Sequence, residues 1–322
     1  MRLLRLGGLS IGAAALGTWL HHRSSRPEDT TVAALARNLT VPADPGLPEL
    51  VVVQGDDPRL LARRALAEMG GAGRFIARGD VVVIKPNVAW DRTPEQAANT
   101  NPLLVAELVR LCQEAGAKRV IVTDVSCNEA RRCFQRSGIG PAAAAEGAEV
   151  ILPEERRFRE VDLRGDVLRA WPVLDAFLSA DKIINVPIAK HHDLTGVTLG
   201  IKNWYGMLGG PRHRLHQRIH ESLADLAAFI RPTLTLIDGY RILLRNGPTG
   251  GNLEDVALKK TLIACTDPVA ADAYAAQAWW NIAASQLRYL QLAAQRGLGT
   301  PRFESLRART AQLYSSGGDA AL

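Results

Sequence analysis

From Leu50 onward, short apolar runs rich in β-branched residues alternate with amphipathic stretches. Period-2 and fully apolar runs predict strands over residues 50–53, 80–84, 119–123, 148–152, 167–171, 182–187, 233–237 and 260–264. The run Asp80-Val-Val-Val-Ile84 is apolar at four successive positions, as in a strand covered on both faces. Helical spacing predicts helices over 58–69, 102–115, 172–179 and 216–230, and a long one starting at Val269. The clearest is 102–115. Asn101 stands at its N-cap, Pro102 at its first position, Leu104, Leu108, Leu111 and Ala115 on one stripe, and Gly116 at its end. Strands alternating with helices predict an α/β fold, a mainly parallel sheet with helices on both faces, either undivided or parted into two lobes with a cleft between them.

The domain reading follows from the same pattern. Residues 1–23 read as an export signal or membrane anchor, 24–48 as a proline-containing linker, 49–300 as the α/β domain, with any lobe boundary near 150–180, and 301–322 as a C-terminal tail. Arg2 and Arg5 precede an apolar stretch over 6–20, the layout of a secretory leader, and Arg2 to Leu9 resembles the part of a twin-arginine signal that follows the arginine pair. That places the protein in the periplasm or on the outer face of the cytoplasmic membrane, with attachment through 6–20. An apolar helix capping the fold is the competing reading.

Composition narrows the classes. A content of 47% hydrophobic and 22% charged residues belongs to a soluble globular body. The net charge of +6 comes from scattered arginines without interleaved aromatics, which points away from nucleic acid. The four cysteines show no C-x-x-C spacing, so neither a zinc ribbon nor an iron–sulfur cluster is encoded. No glycine-rich segment matches a nucleotide motif.

Chemistry concentrates between Asp181 and His220. All five histidines beyond the N-terminal segment lie there, with Lys190, Lys202 and Asn203 and a glycine-rich turn at Gly206, Gly209 and Gly210. Elsewhere the strands also end in polar residues: Lys85 and Asn87, Asp124, Asp238, then Asp267 and Asp272. Ligands of open parallel sheets bind beyond the carboxyl ends of the strands, so these residues would build one shared pocket. Lys85, Lys190 and Lys202 would attract a small carboxylate or phosphate, with Asn87, Asn203, Asp124 and the Gly206 backbone binding it. Crowding would lower one lysine's pKa and make it a base or an imine-forming amine. Lys190, His191, His216 and Lys202 are the candidate catalytic groups. His216 and His220, four apart, would share a helix face and hold a divalent metal with Asp238, Asp267 or Asp272. Against this, each lysine alone reads as a solvated charge, Asp267 before Pro268 as a helix cap, and His192 and His213 as surface residues.

Several segments in order are similar to one family: Lys85-Pro86-Asn87, Asn101–Gly116 with the strand to Asp124, Lys190-His191-His192, Val197–Leu208, Arg214-Leu215-His216, Asp238-Gly239, Gly247-Pro248 and Asp267–Asp272. Together they resemble the domain-of-unknown-function 362 family over about Leu50 to Ala278. The resemblance implies export by a twin-arginine signal and a redox or metal context, with a redox partner protein. The family's ferredoxin-type cysteines are missing here. A lysine and histidine pocket in an α/β fold is also loosely similar to that of the nickel-pincer lactate racemases, by analogy of fold only. Two readings stand: an enzyme acting on a small anion, with hydrolase, isomerase and redox chemistry undivided, or a non-catalytic protein that captures a metal, cofactor or ligand.

Overall fold

The computed structural model describes residues 36–313; the expected leader at 1–23, its apolar stretch 6–20 and residues 314–322 lie outside the described residues. Ten strands form one sheet: β1 (Leu50–Gln54), β2 (Val81–Pro86), β3 (Arg119–Thr123), β4 (Glu149–Ile151), β5 (Lys182–Val186), β6 (Ile188–His192), β7 (Gly196–Thr198), β8 (Leu234–Leu243), β9 (Val256–Cys265) and β10 (Ala308–Gln312). Their order is β10-β1-β9-β8-β5-β2-β3-β4, with β6 attached to β8 and β7 to β6. Along this path only the pairings made by β9 are antiparallel.

Nine helices accompany the sheet among the described residues: α1 (Pro58–Glu68), α2 (Pro102–Glu114), α3 (Ala130–Arg136), α4 (Ile139–Ala145), α5 (Asp175–Ser179), α6 (Gly200–Asn203), α7 (Ile219–Phe229), α8 (Pro268–Trp280) and α9 (Arg288–Gln295). Alternation along the strands divides the core between two faces. Val82, Ile84, Val120 and Val122 pack with Leu61 and Leu66 of α1 and Leu104 and Leu108 of α2. Val83, Ile121, Ile183 and Ile237 belong to the other core, with Leu223 of α7, Val269 of α8 and Leu290 of α9. The fold is thus α/β, a mainly parallel sheet with helices on both faces.

Some expectations shift. β10 pairs in parallel register with β1, so the sheet continues into the region read as a tail. Residues 170–174 are a strand paired with Phe158–Asp162, which delays the helix predicted over 172–179 until Asp175. α3 and α4, at seven residues each, are too short to show a helical period in the sequence. Both flanks of the 150–180 region share the one sheet, since β2 pairs with β5.

The departure that matters most for function follows Pro187. β5 ends at Val186, and the chain restarts as β6, which pairs with the extension of β8 beyond the body of the sheet and turns back as β7. Lys190, His191 and His192 are therefore strand residues, and their side chains alternate.

Candidate active site

At the carboxyl ends of β2, β3 and β5, a cavity of about 410 Å³ opens beneath the β6–β7 ribbon. Its lining includes Asn87, Asp124, Lys190, His192, Lys202 and Asn203, with Gly206, Arg212, His213 and His216 toward its other wall. Seven of the residues singled out in the sequence converge here: Asn87, Asp124, Lys190, Lys202, Asn203, Gly206 and His216.

The floor is a closed network. Lys85 is fully buried and donates to Asp124 Oδ1 at 2.6 Å and to the Pro86 carbonyl at 3.0 Å, while Asp124 Oδ2 accepts the Val88 amide at 2.6 Å. Burial pulls the Lys85 ammonium below its usual range, and Asp124 opposes that pull. Gly206 runs directly over the pair: a Cβ there would lie 1.8 Å from Asp124 Oδ1 and 2.6 Å from Lys85 Nζ. Its glycine identity thus serves close backbone approach. Lys85 acts below the lining, as the counter-charge of Asp124.

Lys190 lies one layer up. Its Nζ donates to Asn87 Oδ1 at 2.9 Å and to the Ala98 carbonyl at 2.7 Å. Asn87 in turn donates to Asn203 Oδ1 at 3.0 Å, and Asn203 to Asn185 Oδ1 at 2.8 Å. All of Lys190's partners are neutral oxygens. Burial first, then the charge of Lys202, brings its pKa down to about 7. A neutral amine keeps two N–H donors, so it can retain both bonds and still present a lone pair. Such a group is poised to take up and return a proton near neutral pH.

Lys202 differs in kind. It is 9% exposed, burial brings its pKa down to about 8, and its Nζ sits 5.2 Å over the Tyr205 ring. Among the described residues it makes no hydrogen bond. Arg212 lines the same wall but is held by the carbonyls of Val125 at 2.8 Å, Ser126 at 2.6 Å and Tyr205 at 3.1 Å. The one carboxylate in the lining, Asp124, is committed to Lys85 and Val88. The cavity therefore carries surplus positive charge and an ammonium with open donors, the electrostatics of an anion site.

Other expected members stand elsewhere. Strand alternation turns His191 away from the cavity, where its Nδ1 accepts the Gly247 amide at 3.3 Å. His192, read from the sequence as a surface residue, is buried and lines the cavity, whereas His213 lines it as an exposed residue, in keeping with the surface reading. The signal for His192 was present in the i, i+2 spacing of Ile188, Lys190 and His192, once these are seen as strand rather than loop.

The expected metal set disperses. Asp267 caps α8, accepting the Val269 and Ala270 amides at 2.8 and 2.9 Å and the Thr300 amide at 2.8 Å. Asp272 accepts the Gly200 and Ile201 amides at 2.7 and 3.0 Å, so it anchors the short helix that presents Lys202 and Asn203. Asp238 accepts the Asn101 amide at 2.7 Å and the Tyr240 amide at 3.0 Å. Burial raises the Asp238 and Asp272 pKa values to about 6 and about 7. His220 lies on α7, outside the lining. Among the described residues no group of three or more His, Cys, Asp or Glu is placed to hold a metal ion. The carboxylates expected as ligands are occupied by backbone amides.

The segments that meet here, from Lys85 to Asp272, fall within one family match. A family model described as a domain of unknown function (DUF362) covers residues 82–277. The chain belongs to this family. The chain is also similar to the thylakoid-associated protein sll1697 of Synechocystis sp., with 29% identity over 204 residues, 61% of this chain and 63% of that protein. The chain thus matches less than two thirds of that relative's length. A solved structural-genomics target from Thermotoga maritima is similar at a TM-score of 0.37 and 13% identity, over 75% of this chain and 60% of that one. The lactate racemase apoprotein of Thermoanaerobacterium thermosaccharolyticum has a TM-score of 0.39 and 12% identity, over 74% of this chain and 59% of that one. These two likenesses are too remote to bear on the chemistry of a DUF362 site.

Proposed function

We propose that this DUF362 protein is an enzyme that binds a small carboxylate or phosphate in the cavity and transfers a proton on it. Lys202 holds the anion, Lys190 is the acid–base group, and the Asn87–Asn203 pair orients Lys190. The observation that carries the reading is the contrast between two buried lysines in one cavity: Lys190, held by two neutral oxygens and brought by burial to a pKa of about 7, and Lys202, without a hydrogen-bond partner among the described residues.

The test is titration calorimetry with a panel of small carboxylates and phosphates, then proton NMR of each binder in D₂O. Binding with exchange at a carbon next to the anionic group, abolished in K190A while binding persists, is the expected result. Binding without exchange or product would leave a non-catalytic ligand carrier, and no binding by any panel member would remove both readings. The basic and apolar residues 1–23, with the relative's name as a thylakoid-associated protein, support a location at or beyond a membrane. Recovery of the tagged full chain in the cytosolic fraction alone would refute that placement.

A further inference from the structure

Three imidazoles line the cavity, and at two of them, His192 and His216, the backbone decides where the proton sits. His192 Nδ1 accepts the Leu194 amide at 3.2 Å. An amide nitrogen can only donate, so that ring nitrogen carries a lone pair and the proton resides on Nε2. His216 is the reverse. Its Nδ1 lies 3.3 Å from the His213 carbonyl, which can only accept, so Nδ1 is protonated and Nε2 carries the lone pair. The rings stand nearly parallel, 11° apart with centroids separated by 6.3 Å, and both line the cavity that holds Lys202. Neither Nε2 has a partner among the described residues. Thr198, also in the lining, has a buried hydroxyl without a partner among the described residues.

We propose that His192 is a fixed, uncharged hydrogen-bond donor that selects a ligand carrying a hydroxyl or carbonyl oxygen beside its anionic group, with the His216 lone pair accepting from that hydroxyl. The inference rests on the anion-binding reading above and adds the ligand's second recognition element. Charge on His192 is opposed on every side. Burial is the largest cause, followed by Lys202, His216, Lys190 and His191, and together they bring its pKa down to about 3. The ring therefore stays neutral through the physiological range, and its Nε2–H remains a donor. A buried donor left without an acceptor disfavours ligands that lack the oxygen, which is how such sites discriminate.

The experiment compares matched probes: 2-hydroxybutanoate against butanoate, and glycerol 3-phosphate against propyl phosphate. At least one hydroxylated probe is expected to bind wild-type protein about tenfold or more tightly than its partner, a ratio in the range of one buried hydrogen bond. H192F should bring that ratio near one while leaving affinity for the plain anion within a few-fold. H192Q, whose amide can place a donor near the Nε2 position, should restore part of it. Nitrogen-15 NMR of wild-type protein supplies a readout independent of any variant's folding: His192 should show the proton on Nε2 alone, unchanged from pH 5 to pH 9. Equal binding of both members of each pair, or a His192 that is protonated on Nδ1 or gains a second proton in that range, overturns the proposal and leaves anion binding standing. Failure of all four probes to bind would instead fall on the anion-binding reading itself.

Discussion

Lys202 and Asp272 are both buried and ionisable, and both are tied to α6, yet they have opposite relations to the protein. Asp272 accepts two amides at the start of α6 and is saturated by its own chain. Lys202, carried on that same helix, faces the cavity with no hydrogen-bond partner among the described residues. The contrast repeats across the site. Asp238 and Asp267 are met by backbone amides and Lys85 by the Asp124 carboxylate, whereas Lys190 has only neutral acceptors and His192 and His216 each keep an Nε2 without a partner among the described residues. A buried polar group costs several kcal/mol unless it is satisfied, so a closed group is accounted for by folding alone. An open one that lines the cavity is left for water or a ligand to meet, and His216 is exposed there.

This distinction can be broken by experiment. The largest effect is expected at the closed pair on the floor: D124A strands the buried Lys85 ammonium and should cost about 3–5 kcal/mol in urea unfolding. A loss under 1 kcal/mol would show that the pair is not closed as described. Next comes D272A, which leaves two buried amides without an acceptor. About 2–4 kcal/mol of stability should go, and anion affinity should weaken as well, because α6 presents Lys202. K202M marks the opposite class. Its unfolding free energy should be unchanged or slightly higher, while calorimetric affinity for the best plain anion of the panel falls at least about tenfold. Destabilisation without loss of affinity would move Lys202 to the closed group.

A subtler effect concerns pH. Lys190 has a folded pKa near 7 against an ordinary value of 10.5. Between those values the unfolded chain binds the extra proton, so this group's contribution to stability rises with pH across roughly 7 to 10.5. K190M removes the buried ammonium. Its stability advantage over wild type should be greatest near pH 6 and shrink above pH 7, by at most about 1.4 kcal/mol per pH unit. A difference that stays flat with pH would mean that Lys190 keeps an ordinary pKa. The smallest expected effect is kinetic. Cys127, exposed at the cavity, should react with iodoacetamide severalfold more slowly when a panel anion is bound, whereas buried Cys112 and Cys265 should stay unlabelled in the native protein. Equal labelling rates with and without the anion would place the bound ligand away from Cys127.

Much of the architecture was legible in residue order. The fully apolar run before Lys85 announces a strand buried on both faces, and it lies near the centre of the sheet. Asn101, Pro102 and Gly116 delimit α2 because capping is local chemistry. Lys190, Lys202, Asn87 and Asn203 could be named in advance, since strand ends in such sheets meet at one rim. His192 could not. Its role depends on Pro187 interrupting one strand so that Lys190-His191-His192 forms another, and a one-residue difference in register exchanges the inward and outward side chains. The aspartates were equally ambiguous, because an Asp after a strand looks the same whether it serves a helix amide or a ligand.

The sequence by itself determined the alternation of strands and helices, the helix caps and the set of polar residues brought to the sheet's carboxyl rim, because all of these follow from local propensity and hydrophobic period. Only the tertiary structure decided which of those residues are saturated and which remain open. Hydrogen-bond satisfaction depends on partners more than a hundred residues away, as between Lys190 and Asn87, and no local pattern records them.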